Sequence, residues 1–296
     1  MKKLLISLSA LAFALSANAA WNTSTSSGYW GDSSIWNQGH TPSVGDDGIN
    51  IGNNTTVYIN SAVDPVKSIF IKSNATLAFN QGAALTCDSI SIDSAGATMK
   101  FLGGSFSTAA QLNQGNNGSY NYIFGGFDAD DNFCAAAAKS VNSTNRLQMK
   151  SGSYATYNVA ASNLLSSTVA GLDDNALFYT TGEFQQMQSQ FLFDFTNITL
   201  ESLAASGISD SGTYYVALAS WGVTYKAVGG SEFNPVLLSS EDTDLVAFEG
   251  FEWGNGTNQQ NNTLYAVLSV NVPEPSTYAA IFGALALAFV AYRRRK

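Results

Sequence analysis

Residues 57–101 read VYINSAVDPVKSIFIKSNATLAFNQGAALTCDSISIDSAGATMKF, and this stretch decides the fold. Apolar residues recur in it as pairs at alternating positions, which is the pattern of β-strands with one face directed inward. The pairs are Val57/Ile59, Ile69/Ile71, Leu77/Phe79, Ile90/Ile92 and Met99/Phe101. Every second pair forms one series: Val57, Leu77 and Met99 are separated by 20 and 22 residues, and Ile69 and Ile90 by 21. Two strands per coil of about 21 residues predict a parallel β-helix or a related ladder.

Turn-forming residues fill the gaps between these strands, as Asn, Ser and Gly at positions 53–54, 60–61, 73–74, 80–82 and 94–96. Such residues interrupt strands because they hydrogen-bond their own backbone or tolerate a left-handed conformation. A β-meander within a sandwich is the alternative. Its strands recur every 8 to 12 residues or so, which is also the spacing of successive strands in a coil of about 21 residues. We favour the ladder for residues 20–110.

The remaining body, residues 111–271, shows no such repeat. Residues 111–121 are rich in Gln, Asn and Gly and are typical of a loop or a boundary. Short alternating runs then resume, for example at 191–195 and 215–218, and Gly and Asn turns separate them. This pattern predicts an antiparallel, sandwich-like region. The expected fold class is therefore all-β, with an N-terminal parallel ladder, a sandwich-like region and a C-terminal transmembrane helix.

Three tryptophans, Trp21, Trp30 and Trp36, precede the repeat. We expect them to cover the open end of the ladder, whose unpaired edge would otherwise invite aggregation. The alternative is that one of them, or Tyr29, stacks on sugar rings, because aromatic side chains offer flat apolar faces.

The N-terminus has the three parts of a secretory signal peptide. Lys2 and Lys3 form a basic start, an apolar run follows, and Ala17 and Ala19 are the small residues before the expected cleavage site. The segment predicted to be removed is residues 1–19. A retained membrane anchor is the alternative, but it requires a longer apolar span.

The C-terminus begins with Pro273, Glu274 and Pro275, followed by Ser276 and Thr277. The prolines lack backbone donors and hold an extended φ, so this stretch cannot join a helix or an inner strand. A processing enzyme can grip such an exposed, extended segment along its main chain. Ser276 or Thr277 can then cap a helix that begins at residue 278.

An uncharged, mainly apolar run covers residues 278–292 and predicts a short transmembrane helix. Tyr278 and Tyr292 stand where interfacial aromatic residues are expected. A basic cluster then fixes this end inside the cytoplasm and leaves the body outside. The cluster consists of Arg293, Arg294, Arg295 and Lys296. A plain membrane anchor, with the Pro-Glu-Pro stretch as a spacer, is the alternative.

The order Val-Pro-Glu-Pro-Ser-Thr, apolar helix and Arg-Arg-Arg-Lys resembles the PEP-CTERM sorting signal. This resemblance covers residues 273–296, and the predicted tail is residues 272–296. It implies cleavage near Pro273-Glu274-Pro275 by an exosortase, a membrane enzyme of bacteria that make extracellular polysaccharide, followed by display or release. The Trp-rich opening and the repeat look like those of autotransporter-like β-repeat proteins that often carry such tails.

The body is strongly acidic. Residues 20–272 contain seven Lys or Arg and 21 Asp or Glu, a formal charge of −14. Nucleic-acid binding needs clustered basic residues, so this partner is excluded. Two cysteines, Cys87 and Cys134, could form a disulfide outside the cytoplasm, and two free thiols are the alternative.

Residues for catalysis are sparse. His40 is the only histidine, and it stands in a Gly-His-Thr-Pro turn. The carboxylate pairs Asp46-Asp47, Asp130-Asp131 and Asp173-Asp174 are typical of solvated loops. Residues 128–139 resemble half a calcium loop, but Phe133 and Lys139 stand where an EF-hand needs Gly and Glu. We therefore expect no catalytic set, no metal and no cofactor, and a looser calcium site at this turn is the alternative.

These patterns predict an exported, non-enzymatic structural protein of the cell surface or extracellular matrix. Its expected partners are signal peptidase, an exosortase, the inner membrane in passing, and extracellular polysaccharide. A carbohydrate-binding or adhesive module is the second hypothesis, and a polysaccharide-active enzyme is the third.

Overall fold

The structure is a computed structural model that describes residues 20–92, 94–109, 112–114, 120–149, 153–186, 190–227, 236–256, 260–273, 283–287, 290 and 292–293. β-strands are the main regular structure of these residues, as the sequence predicts. The strands, in chain order, are β1 (Trp21–Thr23), β2 (Gly28–Tyr29), β3 (Gly48–Ile51), β4 (Thr56–Ile59), β5 (Val66–Ile71), β6 (Thr76–Phe79), β7 (Ala84–Ile92), β8 (Thr98–Phe101), β9 (Ser105–Thr108), β10 (Leu112–Gln114), β11 (Tyr120–Phe124), β12 (Gly126–Phe127), β13 (Phe133–Cys134), β14 (Val141–Ser143), β15 (Arg146–Met149), β16 (Ser153–Asn158), β17 (Phe178–Thr180), β18 (Glu183–Gln186), β19 (Gln190–Asp194), β20 (Gly212–Trp221), β21 (Thr224–Ala227), β22 (Val236–Glu241), β23 (Val246–Trp253) and β24 (Asn262–Val270). The helical elements are short: 3₁₀ turns at Ser33–Ile35 and Ala161–Asn163, and α1 at Leu200–Ala205.

The chain winds as a coil between two sheets: the first contains β1 and β3, and the second contains β2 and β4. The strands of the second sheet are all parallel and lie side by side in the order β2, β4, β6, β8, β11, β16, β19 and β22. The first sheet receives the intervening strands, and there β3, β5, β7, β9, β14 and β17 pair in parallel in that order. This alternation is a parallel β-helix, and it confirms the ladder predicted for the N-terminal region.

The predicted repeat sets the register of these coils. Val57, Leu77 and Met99 are consecutive partners in the second sheet, as are Ile69 and Ile90 in the first. All ten residues of the five predicted pairs are at most 1% exposed. Alternation therefore buries one face of every strand in the interior of the coil, where apolar burial stabilises the fold.

An aromatic column runs through this interior. Consecutive rings stack with centroids 5.0 to 5.3 Å apart and planes within 25° of parallel. The column consists of Phe79, Phe101, Phe124, Tyr157, Phe193 and Phe248. Parallel in-register strands place the first five side chains above one another about 4.8 Å apart, which is a distance at which aromatic rings stack. Phe248, on the antiparallel strand β23, ends the column.

The antiparallel pairing predicted for residues 111–271 is confirmed for β12 with β13 and for β24 with β20 and β23, and it is wrong for the other strands of this region. The strands β10 to β19, β21 and β22 that belong to the two sheets continue the parallel ladder. Tyr122, Ala155 and Phe191 are consecutive partners although they stand 33 and 36 residues apart. The longer spacing arises because residues 125–140, 159–177 and 195–211 are inserted where the chain passes from the second sheet to the first. These insertions conceal the repeat in the sequence.

Antiparallel pairing within the sheets occurs where β24 lies between β20 and β23. These three strands lie across the C-terminal end of the coil. There, Phe248 and Phe251 contact Phe193, and Trp253 contacts Trp221. At the other end Trp30, Ile35 and Trp36 are buried against the first coils. Aromatic residues therefore cover the interior at both ends.

Candidate functional site

The junction between the body and the tail is tied to the fold. Val272 packs against the hydrophobic core. Its N–H donates to Ser211 Oγ at 2.8 Å, and Ser211 Oγ donates to the Val272 carbonyl at 2.9 Å. One residue earlier, Asn271 N–H donates to the Leu245 carbonyl at 2.8 Å. The chain is thus held by the body up to Val272, and the Pro-Glu-Pro motif begins immediately afterwards.

Much of the tail lies outside the described residues. Pro273 is described, whereas Glu274, Pro275 and residues 294–296 are not. Residues 283–287, 290 and 292–293 are helical. Among the residues that the structure describes, no helix is long and apolar enough to cross a membrane. The transmembrane helix at 278–292 therefore stays a prediction, as does the signal peptide at 1–19 with Ala17 and Ala19.

The aromatic opening divides into buried and exposed residues. Trp30 and Trp36 are buried, their rings lie 5.4 Å apart, and Trp36 Nε1 donates to the Trp30 carbonyl at 3.0 Å. These two residues cover the end of the coil, as expected, and cannot stack on a sugar. Trp21 and Tyr29 are 40% and 50% exposed and do remain accessible to one.

His40 and the Asp46-Asp47 pair belong to a structural turn. His40 Nδ1 hydrogen-bonds the Thr41 carbonyl at 2.8 Å, and its Nε2 lies 3.5 Å from Asp46 Oδ1. Asp46 Oδ2 accepts the N–H of Ser43 at 2.8 Å. Asp47 is exposed and Asp46 is buried, so the two carboxylates do not face one another.

The other carboxylate pairs are also engaged in the fold. Asp173 is buried and accepts the hydroxyl of Tyr265 at 2.7 Å, whereas Asp174 forms an ion pair with Lys139 at 2.9 Å. Burial, followed by the hydrogen bond to Asp173, raises the pKa of Tyr265 above its ordinary value.

In the β12–β13 hairpin, Asp128 Oδ1 accepts the N–H groups of Asp130 and Asn132 at 2.9 Å each. These hydrogen bonds, chiefly the one from Asn132, lower the pKa of Asp128. No group of three His, Cys, Asp or Glu side chains within the described part of the chain is arranged to hold a metal.

The two cysteines are free thiols, so the disulfide that the sequence left open is not formed. Cys87 faces the interior between the rungs of Val66 and Thr108, and burial raises the pKa of its thiol to about 12. Cys134 lies in the β12–β13 hairpin, outside the coil, with its Sγ 3.9 Å from Asp128 Oδ2. One thiol lies inside the coil and the other lies in a hairpin outside it, so the two are not placed to form a disulfide.

The first two insertions and strand β20 form a cleft of about 170 Å³ that the sequence did not reveal. Asn163 Nδ2 in the second insertion donates to the Ala136 carbonyl in the first at 3.1 Å, and Leu165 pairs with Tyr215. The cleft is lined by Ala136, Ala138, Ser162, Asn163, Leu165, Asn175, Leu177, Val216 and Ala217. This lining contains amide, hydroxyl and apolar groups but no titratable side chain, so it can bind a small uncharged group and offers no acid or base.

Comparison with known proteins identifies no relative of this chain. No protein-family model, no curated protein and no solved structure matches it.

Proposed function

We propose that this chain is an exported structural protein of the cell surface or extracellular matrix, processed at its C-terminal Pro-Glu-Pro tail by an exosortase. One observation carries the proposal: the body holds the chain through Val272, and the motif 273–275 starts at the next residue. A protease or transpeptidase reads extended main chain, so it needs its target sequence outside folded structure. A motif that follows the last residue held by the body supports the proposal.

The body suits a structural role. Both ends of the coil carry aromatic covers, and the long parallel sheets bury a large hydrophobic core. A formal charge of −14 over residues 20–272 favours solubility and opposes association with nucleic acid. Four side chains that could act as an acid, a base or a metal ligand are engaged in turns and local hydrogen bonds. They are His40, Asp46, Asp128 and Asp173.

The proposed route has three steps. Signal peptidase removes residues 1–19, the apolar run 278–292 holds the chain in the inner membrane with the basic cluster inside, and the exosortase cuts near residues 273–275. The body then reaches the surface, where extracellular polysaccharide is the expected surrounding. The tail is thereby a temporary anchor rather than a permanent one.

Intact mass of the protein recovered from its own cells tests the proposal. We expect a mature chain that begins at Ala20 and ends between Val272 and Pro275. A variant with Pro273, Glu274 and Pro275 changed to alanine should keep its tail and stay in the inner membrane. The matched control is Pro65→Ala, which changes an exposed proline of the body and should leave processing intact. A wild-type chain that still carries Arg293 to Lys296 would contradict the proposal and identify a plain anchor.

A further inference from the structure

Trp21 lies flat on the outer surface of the first sheet. A Cβ built on Gly48 would meet three bonded carbons of the indole, Cζ3, Cη2 and Cε3, at 2.2, 2.4 and 2.7 Å. Three such similar distances place Gly48 beneath the face of the ring and not beyond its edge. Gly48 is the strand partner of Trp21, so any larger residue there would lift the ring. With its underside on Gly48, the indole keeps 40% of its surface exposed.

Phe70 borders this flat ring. Its ring centroid lies 4.9 Å from that of Trp21, and the two planes meet at 76°. Lys72 Nζ lies 5.0 Å from the centroid of Phe70, which is a cation–π distance. The two aromatic rings therefore form a corner of defined shape on the surface, and Phe70 is itself held in place by Lys72.

Hydroxyl groups continue the same face along the coil. Ser68 and Ser89 are partners on neighbouring rungs, and their hydroxyl oxygens lie 2.8 Å apart. Both are half-buried, so they present polar atoms at the surface without long mobile chains. Rungs of a parallel sheet follow one another at about 4.8 Å, which is similar to the rise of one sugar along an extended polysaccharide.

We propose that this surface, made of Trp21, Ser68, Phe70, Lys72 and Ser89, binds a neutral polysaccharide chain. A pyranose ring has an apolar face of axial C–H groups that packs on a flat indole, and its equatorial hydroxyls hydrogen-bond to side chains such as serine. The ligand is neutral because residues 20–272 carry a formal charge of −14, which repels polyanions. The site uses the body alone, so it stands or falls independently of the sorting tail.

The protein contains a matched control for this site. Tyr29 is 50% exposed and lies in the second sheet, where its ring is 5.9 Å from that of Tyr58. Tyr29 lies on the first strand of the second sheet, and its strand partner is Tyr58 rather than a glycine. Tyr29→Ala therefore removes a similarly exposed aromatic ring without touching the Trp21 surface.

Isothermal titration of the exported protein with cellohexaose, mannohexaose and xylohexaose tests the proposal, with oligogalacturonate as the acidic comparison. We expect at least one neutral hexasaccharide to bind. Trp21→Ala should weaken that binding by at least about tenfold, because a centrally placed aromatic contact dominates small interfaces. Tyr29→Ala should leave it within about twofold.

Gly48→Ala tests the geometry while it keeps the indole. Its new methyl group must tilt the ring, so binding should weaken although Trp21 is present. Trp21→Leu keeps an apolar side chain over Gly48 and guards against misfolding of the alanine variant. The proposal is overturned if none of the neutral chains binds, if only oligogalacturonate binds, or if folded Trp21 variants bind like the wild type.

Discussion

Phe124 and Tyr157 stack on neighbouring coils, with ring centroids 5.0 Å apart and planes 14° from parallel. Phe101 continues the column on one side and Phe193 on the other, each at 5.3 Å. The Tyr157 hydroxyl is therefore enclosed in the interior, and it has no hydrogen-bond partner among the described residues. Burial raises the pKa of this hydroxyl well above its ordinary value.

Tyr157→Phe should stabilise the protein. A buried hydroxyl without a partner costs about 1 to 3 kcal/mol of desolvation, and phenylalanine keeps the stacked ring. We expect the free energy of unfolding in urea to rise by about 1 kcal/mol or more. The matched control is Tyr265→Phe, whose hydroxyl donates to Asp173 and accepts from the Val169 N–H, and which should destabilise. Equal losses in both variants would contradict the prediction.

Stability should decline in alkali, in part because of Cys87. Burial raises the pKa of this thiol from 9.0 to about 12. The folded state then binds a proton that the unfolded state releases, so the stabilising contribution is present below pH 9 and is lost as the pH rises towards 12. In urea titrations over this window, Cys87→Ala should flatten the decline by up to about 1.4 kcal/mol per pH unit. Cys134→Ala, which alters a far less buried thiol, should flatten it less, and identical slopes in all three proteins would refute the assignment.

The two thiols should differ in reactivity. Cys134 is half-buried in a surface hairpin, whereas Cys87 is 1% exposed inside the coil. A thiol-specific disulfide reagent should therefore modify one thiol in the native protein and two in denaturant. Cys134→Ser should abolish the native reaction, and Cys87→Ser should preserve it. A purified protein without any reactive thiol in denaturant would show that a disulfide forms after all.

Trp30 and Trp21 should differ in their contribution to stability. Trp30 is buried at the end of the coil, with its ring 5.4 Å from that of Trp36, whereas Trp21 keeps a free face. Trp30→Ala should lower the free energy of unfolding by about 3 to 5 kcal/mol, and Trp21→Ala by about 1 kcal/mol. Urea unfolding measures both. A small loss from Trp30→Ala would mean that the end of the coil does not need its cover.

The sequence predicts the first coils well because nothing interrupts them. Between Val57 and Met99 each coil is 20 to 22 residues long, so the periodicity is visible and both register and burial follow from it. From Tyr122 onward, insertions lengthen the coils to 33 residues or more. Alternation at Phe191 and Phe193 identifies a strand correctly, but alternation alone cannot distinguish a parallel partner from an antiparallel one.

The candidate sites were predictable to different degrees. The tail motif is a contiguous stretch of sequence, whereas the flat seating of Trp21 depends on Gly48, which lies 27 positions away and is adjacent only through strand pairing. Likewise the cleft between the insertions depends on tertiary contacts such as that of Asn163 with Ala136. Periodicity and motifs in a sequence do not reveal which distant residues strand pairing or tertiary contacts bring together.

A turn position repeated in three coils provides a final test. Asn54, Asn74 and Gly96 all adopt a left-handed backbone, with φ of 58°, 53° and 74°. Asn74 Nδ2 donates to Asn54 Oδ1 at 3.2 Å, and a Cβ on Gly96 would come within 2.3 Å of Asn74 Oδ1. Asn74→Ala should lower the free energy of unfolding by about 1 to 2 kcal/mol, because alanine is strained in this conformation, and Asn74→Gly should lower it less.

Gly96→Ala should lower the free energy of unfolding more than Asn74→Ala does, since it adds a collision with the Asn74 amide to the same backbone strain. The double variant Asn74→Gly/Gly96→Ala removes that collision, so its loss in urea unfolding should be smaller than the sum of the single losses. Strictly additive losses would show that the two turns are not in contact.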